Sequence, residues 1–144
     1  MGPLTQEQKD VINGRFSDNA LRMLRKRYLL EDDKGVQETP ADMFKRVAEA
    51  LAHVETKYGK SEEEKLEISK DFFEVMTNME YTPAGRTLTN AGSDTPLIAN
   101  CIVLPIHDSM DSIFQTLKDA ALLQQAGSGL GTPLTWTMQS LHAP

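Results

Sequence analysis

The chain has 144 residues and a hydrophobic content of 40%, which is enough for one globular domain with a buried core. Its formal net charge of -6 argues against a broad cationic surface for nucleic-acid backbones. One cysteine rules out an internal disulfide, the start lacks the pattern of a secretory signal, and no apolar run reaches membrane-spanning length. We therefore expect a soluble cytoplasmic protein without nucleic-acid or membrane partners.

The first half of the chain predicts three amphipathic helices, at about 17–30, 39–59 and 61–78. Each range opens on a serine or threonine whose hydroxyl can accept a hydrogen bond from a first-turn amide. Pro40 stands where a helix needs no N–H donor, and Glu64 completes a capping box. The pattern favours a helical scaffold.

The second half changes to turn residues and one apolar run. Residues 81–86 and 90–96 combine Pro, Gly and short polar residues, so we expect irregular backbone there. Residues 102–106 are short, β-branched and apolar, which is typical of a strand buried on both faces. A helix from 108 to about 126 comes next, and glycines end it at 127–131.

The helix at 108–126 has two open features. Either Asp108 or Ser109 can cap it, with or without a ligand role. Its broad apolar face fits burial against two partners, which leaves packing within one subunit and contact with a second subunit both open. That face consists of Met110, Ile113, Phe114, Leu117, Ala120 and Ala121, widened by Leu122 and Leu123.

Cys101 lies directly before the predicted strand. A lone cysteine beside an apolar strand is more often a buried packing residue than a reactive one. Its position between polar turns, a helix mouth and a glycine turn instead indicates a nucleotide site. The histidines, His53, His107 and His142, are too scattered for a metal-ligand pattern, so we predict no metal site and surface positions for all three.

Four motifs in a fixed order resemble the large catalytic chain of ribonucleotide reductase. The first of these motifs contains proline, glycine and arginine, and an Asn-Cys pair follows it. This combination is most similar to the adenosylcobalamin-dependent class. The resemblance covers roughly residues 15–131 and is specific because several spaced motifs occur together. The motifs are PAGRTLTNAG at 83–92, NC at 100–101, LPIHDSMDSI at 104–113 and GSGLG at 127–131.

The resemblance implies a mainly α fold for this chain. Residues 1–80 would be the amino-terminal helical region of the family. Residues 81–131 would hold the first strand and helix of a ten-stranded α/β barrel, incomplete in this chain, together with a substrate loop and an effector helix. Residues 132–144 do not match the family pattern and form a divergent tail. A barrel strand standing alone would expose edges and apolar faces.

The resemblance also implies a chemistry for Cys101. In the family a cysteine thiyl radical removes the ribose 3'-hydrogen, and two other cysteines supply two electrons by closing a disulfide as the 2'-hydroxyl leaves. Cys101 matches the first of that reducing pair, and Asn100 and Gly129 match positions beside the substrate ribose. By residue chemistry alone, Arg86 and Ser93 are candidates for phosphate contacts.

The same resemblance implies further ligands and partners. Residues matching Asp108, Ser109 and Met110 bind a deoxynucleoside triphosphate at a subunit interface and select the base to be reduced. The implied partners are a ribonucleoside di- or triphosphate, a thiol reductant such as thioredoxin and a second copy of the chain. The implied cofactor of the complete enzyme is adenosylcobalamin, for which this chain offers no ligands.

The chain lacks parts that the family reaction requires. The thiyl-forming cysteine, the second reducing cysteine and a catalytic glutamate come from sequence beyond these motifs in the family. We therefore expect the 144 residues alone to be inactive, as a truncated gene product, a split-gene piece or an excised fragment. The alternative is a non-catalytic module, derived from the reductase, that binds effector nucleotide or dimerises.

Overall fold

A computed structural model describes residues 1–95 and 97–132. It divides into two compact units, one from Met1 to Ile98 and one that begins at Ala99. The predicted mainly α fold is confirmed. The elements of the described residues are α1 (Gln6–Asn13), α2 (Asp18–Arg27), α3 (Pro40–His53), a 3-10 helix (Val54–Tyr58), α4 (Glu62–Thr77), α5 (Gly85–Asn90), β1 (Cys101–Val103), α6 (Met110–Gln125) and β2 (Gly129–Gly131).

The three predicted helix starts in the first half are confirmed. Ser17 caps α2 by accepting from the amide of Ala20, and Thr39 caps α3. Ser61 and the side chain of residue 64 form the predicted capping box of α4. After α3 a 3-10 turn runs to Gly59, whose left-handed φ of 75° ends the predicted segment. Local capping chemistry therefore sets these boundaries.

Two helices were not predicted. Helix α1 opens on a capping box between Thr5 and Gln8. Helix α5 occupies Gly85–Asn90, so the prediction of irregular backbone is wrong at residues 85 and 86 of the first segment and at residue 90 of the second. Glycine and threonine are poor helix formers, so α5 depends on its contacts with α3 rather than on intrinsic propensity.

The core of the first unit forms around α3. Helix α4 packs along α3, while α1 and α5 contact it elsewhere. The rings of Phe16 and Phe44 lie 6.1 Å apart between centroids in a tilted pair. The buried core residues are Ile12, Leu29, Ala41, Met43, Phe44, Val47, Ala48, Met76, Leu88 and Ala91.

Arg46 of α3 links that helix to the end of α5 through backbone hydrogen bonds. Arg46 lies 2.6 Å from the carboxylate of Glu38 and also donates to the carbonyl oxygens of Leu88 and Ala91. Gly92 comes next with φ 74°, and a Cβ there would stand 2.9 Å from Cγ of Arg46. Only glycine allows the backbone to pass this close to the arginine stem.

The second unit is a strand, helix and parallel strand. In β1 and β2, Cys101 pairs with Gly129 and Val103 pairs with Gly131. Strand β1 begins one residue earlier than predicted and ends at Val103 rather than at 106. The prediction of burial on both faces is wrong, because Cys101 and Val103 are exposed and β2 is the one strand that pairs with β1 in the described residues.

The described helices lack membrane-spanning character. None of those in residues 1–95 and 97–132 combines the length and the apolar composition needed to cross a bilayer. The longest, α4 and α6, have 16 residues each. All but one residue of the predicted divergent tail, 132–144, lie outside the described part of the chain.

Candidate functional site

The thiol of Cys101 is exposed at the start of β1. The alternative of a buried packing cysteine is therefore wrong. Its parallel partner is Gly129, whose amide donates to the carbonyl oxygen of Asn100 at 2.8 Å. A Cβ on Gly129 would stand 3.3 Å from that oxygen and 3.7 Å from Sγ of Cys101. The missing side chain keeps one flank of the sulfur open to small molecules.

The glycine motif at 127–131 does more than end α6. Gly127 leaves the helix with a φ of 89°, and Gly129–Gly131 then pairs with β1. Between them Ser128 is buried and donates to the carbonyl oxygen of Ala99 at 3.1 Å. Sequence reasoning missed this role of Ser128. A serine within a run of glycines can hydrogen-bond to nearby backbone, and that was the available signal.

At the amino terminus of α6, the structure distinguishes the two residues that the sequence offered as alternative caps, Asp108 and Ser109. Ser109 is the cap, because its hydroxyl oxygen accepts from the amide of Ser112 at 3.2 Å. The hydroxyl oxygen of Ser112 in turn accepts from the amide of His107 at 2.9 Å. Asp108 and Met110 flank this cap and are exposed, so Asp108 takes no part in capping.

The predicted apolar face of α6 is exposed in this chain rather than buried against two partners. The exposed fractions are 67% for Met110, 59% for Phe114 and 62% for Leu117. Thr116 is the buried residue of this helix, and it donates to the carbonyl oxygen of Pro105 at 2.9 Å. The hydroxyl thus ties α6 to the segment after β1, a role that the sequence pattern did not indicate.

The two candidate phosphate contacts lie in the first unit. Arg86 is in α5. Ser93 donates to the carbonyl oxygen of Asn90 at 2.8 Å and accepts from the amide of Thr95 at 3.2 Å. Ser93 also lines a groove of about 470 Å³ beside the end of α2. Asn100, Cys101 and Gly129 lie together in the second unit, whereas Arg86 and Ser93 belong to the first unit.

No group of three or more His, Cys, Asp or Glu side chains that could hold a metal ion occurs in residues 1–95 and 97–132. His53 and His107 are exposed as predicted, and His142 lies outside the described residues.

Comparison with known proteins decides the family. Residues 14–96 match the family model described as "Ribonucleotide reductase, all-alpha domain". The chain belongs to the ribonucleotide reductase family. The match spans α2 to α5, the helical scaffold built around α3.

Relatives of this ribonucleotide reductase chain extend the match. A "Vitamin B12-dependent ribonucleoside-diphosphate reductase" of Mycobacterium tuberculosis is 41% identical over 113 residues, covering 78% of this chain and 16% of the relative. A protein of the same name from Thermoplasma acidophilum is 31% identical over 167 residues, covering 78% and 22%. The "Ribonucleoside-diphosphate reductase subunit alpha" of Helicobacter pylori is 31% identical over 129 residues, covering 89% and 16%.

The coverage of these reductases is unequal. Most of this chain aligns with each of them, yet it spans only between 16% and 22% of their length. The family model itself covers the helical scaffold and ends at residue 96, before the second unit. The roles of residues beyond 96 therefore rest on the geometry of the second unit.

Proposed function

We propose that this chain is the amino-terminal part of a ribonucleotide reductase that converts ribonucleotides to deoxyribonucleotides by thiyl-radical chemistry. The observation that carries the proposal is the exposed thiol of Cys101 beside the bare backbone of Gly129. A redox cysteine must be reachable by substrate and by a second thiol, and the exposure of Cys101 supports this role.

Cys101 is proposed as one member of the reducing pair. When two thiols close a disulfide they release two electrons and two protons, which balances loss of the ribose 2'-hydroxyl as water and its replacement by hydrogen. The second thiol comes from outside this chain, because Cys101 is its one cysteine. A dithiol protein such as thioredoxin would then restore the pair by exchange.

The neighbours of Cys101 are proposed to position the ribose. Gly129 lacks the side chain that would fill the space beside the sulfur, so a sugar can approach the backbone there. Asn100 precedes the cysteine and adds an amide that can donate to and accept from hydroxyl groups. Arg86 and Ser93 stay candidates for phosphate contacts on their chemistry alone.

Adenosylcobalamin is proposed as the cofactor of the complete enzyme. The support comes from the relatives from Mycobacterium tuberculosis and Thermoplasma acidophilum, which are named vitamin B12-dependent reductases. We assign no contact with this cofactor to any described residue of the chain. No step of the chemistry assigned to Cys101 therefore runs through the cofactor.

The mouth of α6 is proposed as half of an effector site for a deoxynucleoside triphosphate. Asp108 and Met110 are exposed on either side of Ser109, whose hydroxyl accepts within the cap and keeps its own proton to donate. Anions are favoured at a helix amino terminus, while the carboxylate of Asp108 suits sugar hydroxyls rather than phosphate. The exposed apolar face of α6 is proposed as one side of a homodimer contact.

The same exposed face of α6 supports a second candidate function. A module that binds effector nucleotide and dimerises would need α6 and its mouth but not a partner for Cys101. The two candidates differ in whether Cys101 is required for turnover once the rest of a reductase is present.

A chimera tests the catalytic proposal. Residues of this chain replace the matching segment of the Mycobacterium tuberculosis reductase, and deoxynucleotide formation is measured with adenosylcobalamin and dithiothreitol. We expect an active chimera, background turnover after Cys101→Ser, and near-normal turnover after Val103→Ala, an exposed position on the same strand. Full turnover by the Cys101→Ser chimera would favour the binding module. The isolated chain should form no product, and product from it would contradict the proposed incompleteness.

A further inference from the structure

Helix α2 carries an exposed cationic face with one apolar residue in it. At 100° per residue, Arg22, Lys26 and Met23 fall within an arc of about 100° whose centre lies about 150° from Leu24, which packs on the core. Arg27 lies about 40° beyond Met23 on the same wheel. Met23 is 44% exposed. None of the three cations forms an ion pair with the described residues, and Arg22 donates to the side-chain oxygen of Asn19 instead.

The same unit also carries an apolar groove of about 480 Å³. It lies between α3, α4 and the segment after α4. Tyr81 is 61% exposed and Phe72 is 37% exposed, which leaves the apolar wall open to solvent. The residues that line it are Leu51, Phe72, Val75, Met76, Tyr81 and Pro83, together with one acid, Asp71.

Acidic residues lie on α4 beside this groove: Asp71 lines it, and Glu67 and Glu74 stand about one turn before and after Asp71. Glu67, Asp71 and Glu74 lie on neighbouring turns of α4, and no described cation pairs with them. Like charges three and four residues apart repel one another, so a cationic partner would relieve that repulsion. Lys70 is the one cation among these acids on α4 between 67 and 74.

We propose that α2 of one copy of this chain docks into the α4 groove of a second copy. Met23 would enter the apolar groove, while Arg22 and Lys26 would face Glu67 and Asp71. Charge complementarity identifies the occupant, because the whole chain has a net charge of -6 and α2 holds a dense group of cations without ion pairs among the described residues. An unbranched methionine adapts to an irregular apolar groove. This contact is separate from the proposed dimer contact of α6.

Sedimentation velocity of purified chain tests the contact. All proteins carry Phe114→Ser and Leu117→Ser, which remove the apolar face of α6 from the experiment. The parent should self-associate, and adding salt should weaken association because exposed charge pairs are screened. Met23→Asn changes no charge and should raise the dissociation constant about tenfold through loss of apolar contact. A parent that stays monomeric at low salt overturns the proposal.

Charge exchange gives the sharper readout. Arg22→Glu with Lys26→Glu, and separately Glu67→Lys with Asp71→Lys, should each leave a monomer. Mixing the two should restore association, because the intact groove of one meets the intact α2 of the other. The control Lys34→Glu with Lys57→Glu makes the same charge change as the α2 variant, but at exposed positions elsewhere, and should associate like the parent. Circular dichroism checks that each variant folds. A folded mixture that stays monomeric contradicts the contact.

Discussion

The guanidinium of Arg46 lies 2.6 Å from the carboxylate of Glu38, and both side chains are only 14% exposed. The same guanidinium donates to the carbonyl oxygens of Leu88 and Ala91. One arginine therefore holds the segment before α3 and the end of α5 against the same helix. Because α5 has poor intrinsic propensity, its conformation depends on this charge-assisted contact.

Replacing Arg46 should destabilise the first unit strongly. Arg46→Ala leaves a largely buried carboxylate and two carbonyl oxygens without their donor, so the free energy of unfolding should fall by about 2–4 kcal/mol. Urea unfolding followed by circular dichroism measures the change. Lys45→Ala is the matched control, since Lys45 pairs with the more exposed Glu49 at 3.4 Å and should cost less than about 1 kcal/mol. Equal costs would contradict the assigned role of Arg46.

Asp42 should make stability depend on pH. Burial alone would raise its pKa, but hydrogen bonds from Lys9 and Thr39 outweigh burial and hold the pKa below its ordinary value. Its contribution is therefore complete above the ordinary value near 3.8 and is lost as pH falls through it towards the lower folded pKa.

The test compares wild type with Asp42→Asn by urea unfolding between about pH 7 and pH 2. The stability advantage of the wild type should be constant at the upper end and shrink below about pH 4. Lys9→Gln removes the 2.7 Å ion pair but keeps the bonds from Thr39, so the folded pKa of Asp42 should move up towards its ordinary value, and the loss of advantage on acidification should be smaller and complete at a higher pH than in the wild type. An advantage that grows on acidification would refute the assignment.

Adding a side chain at residue 129 should shield the thiol of Cys101. A Cβ there lies 3.7 Å from Sγ, and the methyl groups of valine reach farther into the space beside it. Gly129→Val should therefore slow reaction of Cys101 with a bulky disulfide reagent about tenfold. Gly131→Val is the control, because its Cβ lies 4.0 Å from the side chain of Val103 and away from the sulfur. If Cys101 reacted at the same rate in both variants, Gly129 would not be the residue that leaves the thiol accessible.

The mouth of α6 should separate effector binding from capping. Calorimetry with dTTP and dATP should show weaker binding to Asp108→Ala at unchanged stability, because Asp108 is exposed and does not cap. Ser109→Ala should lower the stability of the second unit by about 1 kcal/mol. Identical heats for wild type and Asp108→Ala would argue against the effector role.

Sequence reasoning succeeded where the chemistry is local. Ser17, Thr39 and Ser61 cap their helices through bonds to amides three residues ahead, so the residue types alone predict the starts. It failed where partners are distant in sequence. No pattern at 129–131 indicates a strand, because β2 is defined by its ladder to β1, and nothing near Arg46 indicates bonds to residues more than 40 positions away.

In the candidate site the position of Cys101 was predictable from the motifs, but its surroundings were not. The sequence favoured a strand buried on both faces, whereas β1 exposes Cys101 and Val103. An apolar run shows how a strand is composed but not how many neighbours cover it. The roles of Ser128 and Thr116 were missed for the same reason, since each donates to a carbonyl at least eleven residues away.

The parallel register of β1 and β2 has a structural implication for assembly. Parallel neighbours need a crossover, and α6 supplies it within 25 residues of chain between Val103 and Gly129. Each strand of such a pair uses only one side of its backbone within the pair, and the opposite side retains N–H and C=O groups that another strand can bind. Among the described residues, the outer flanks of β1 and β2 are therefore free for pairing with a further strand.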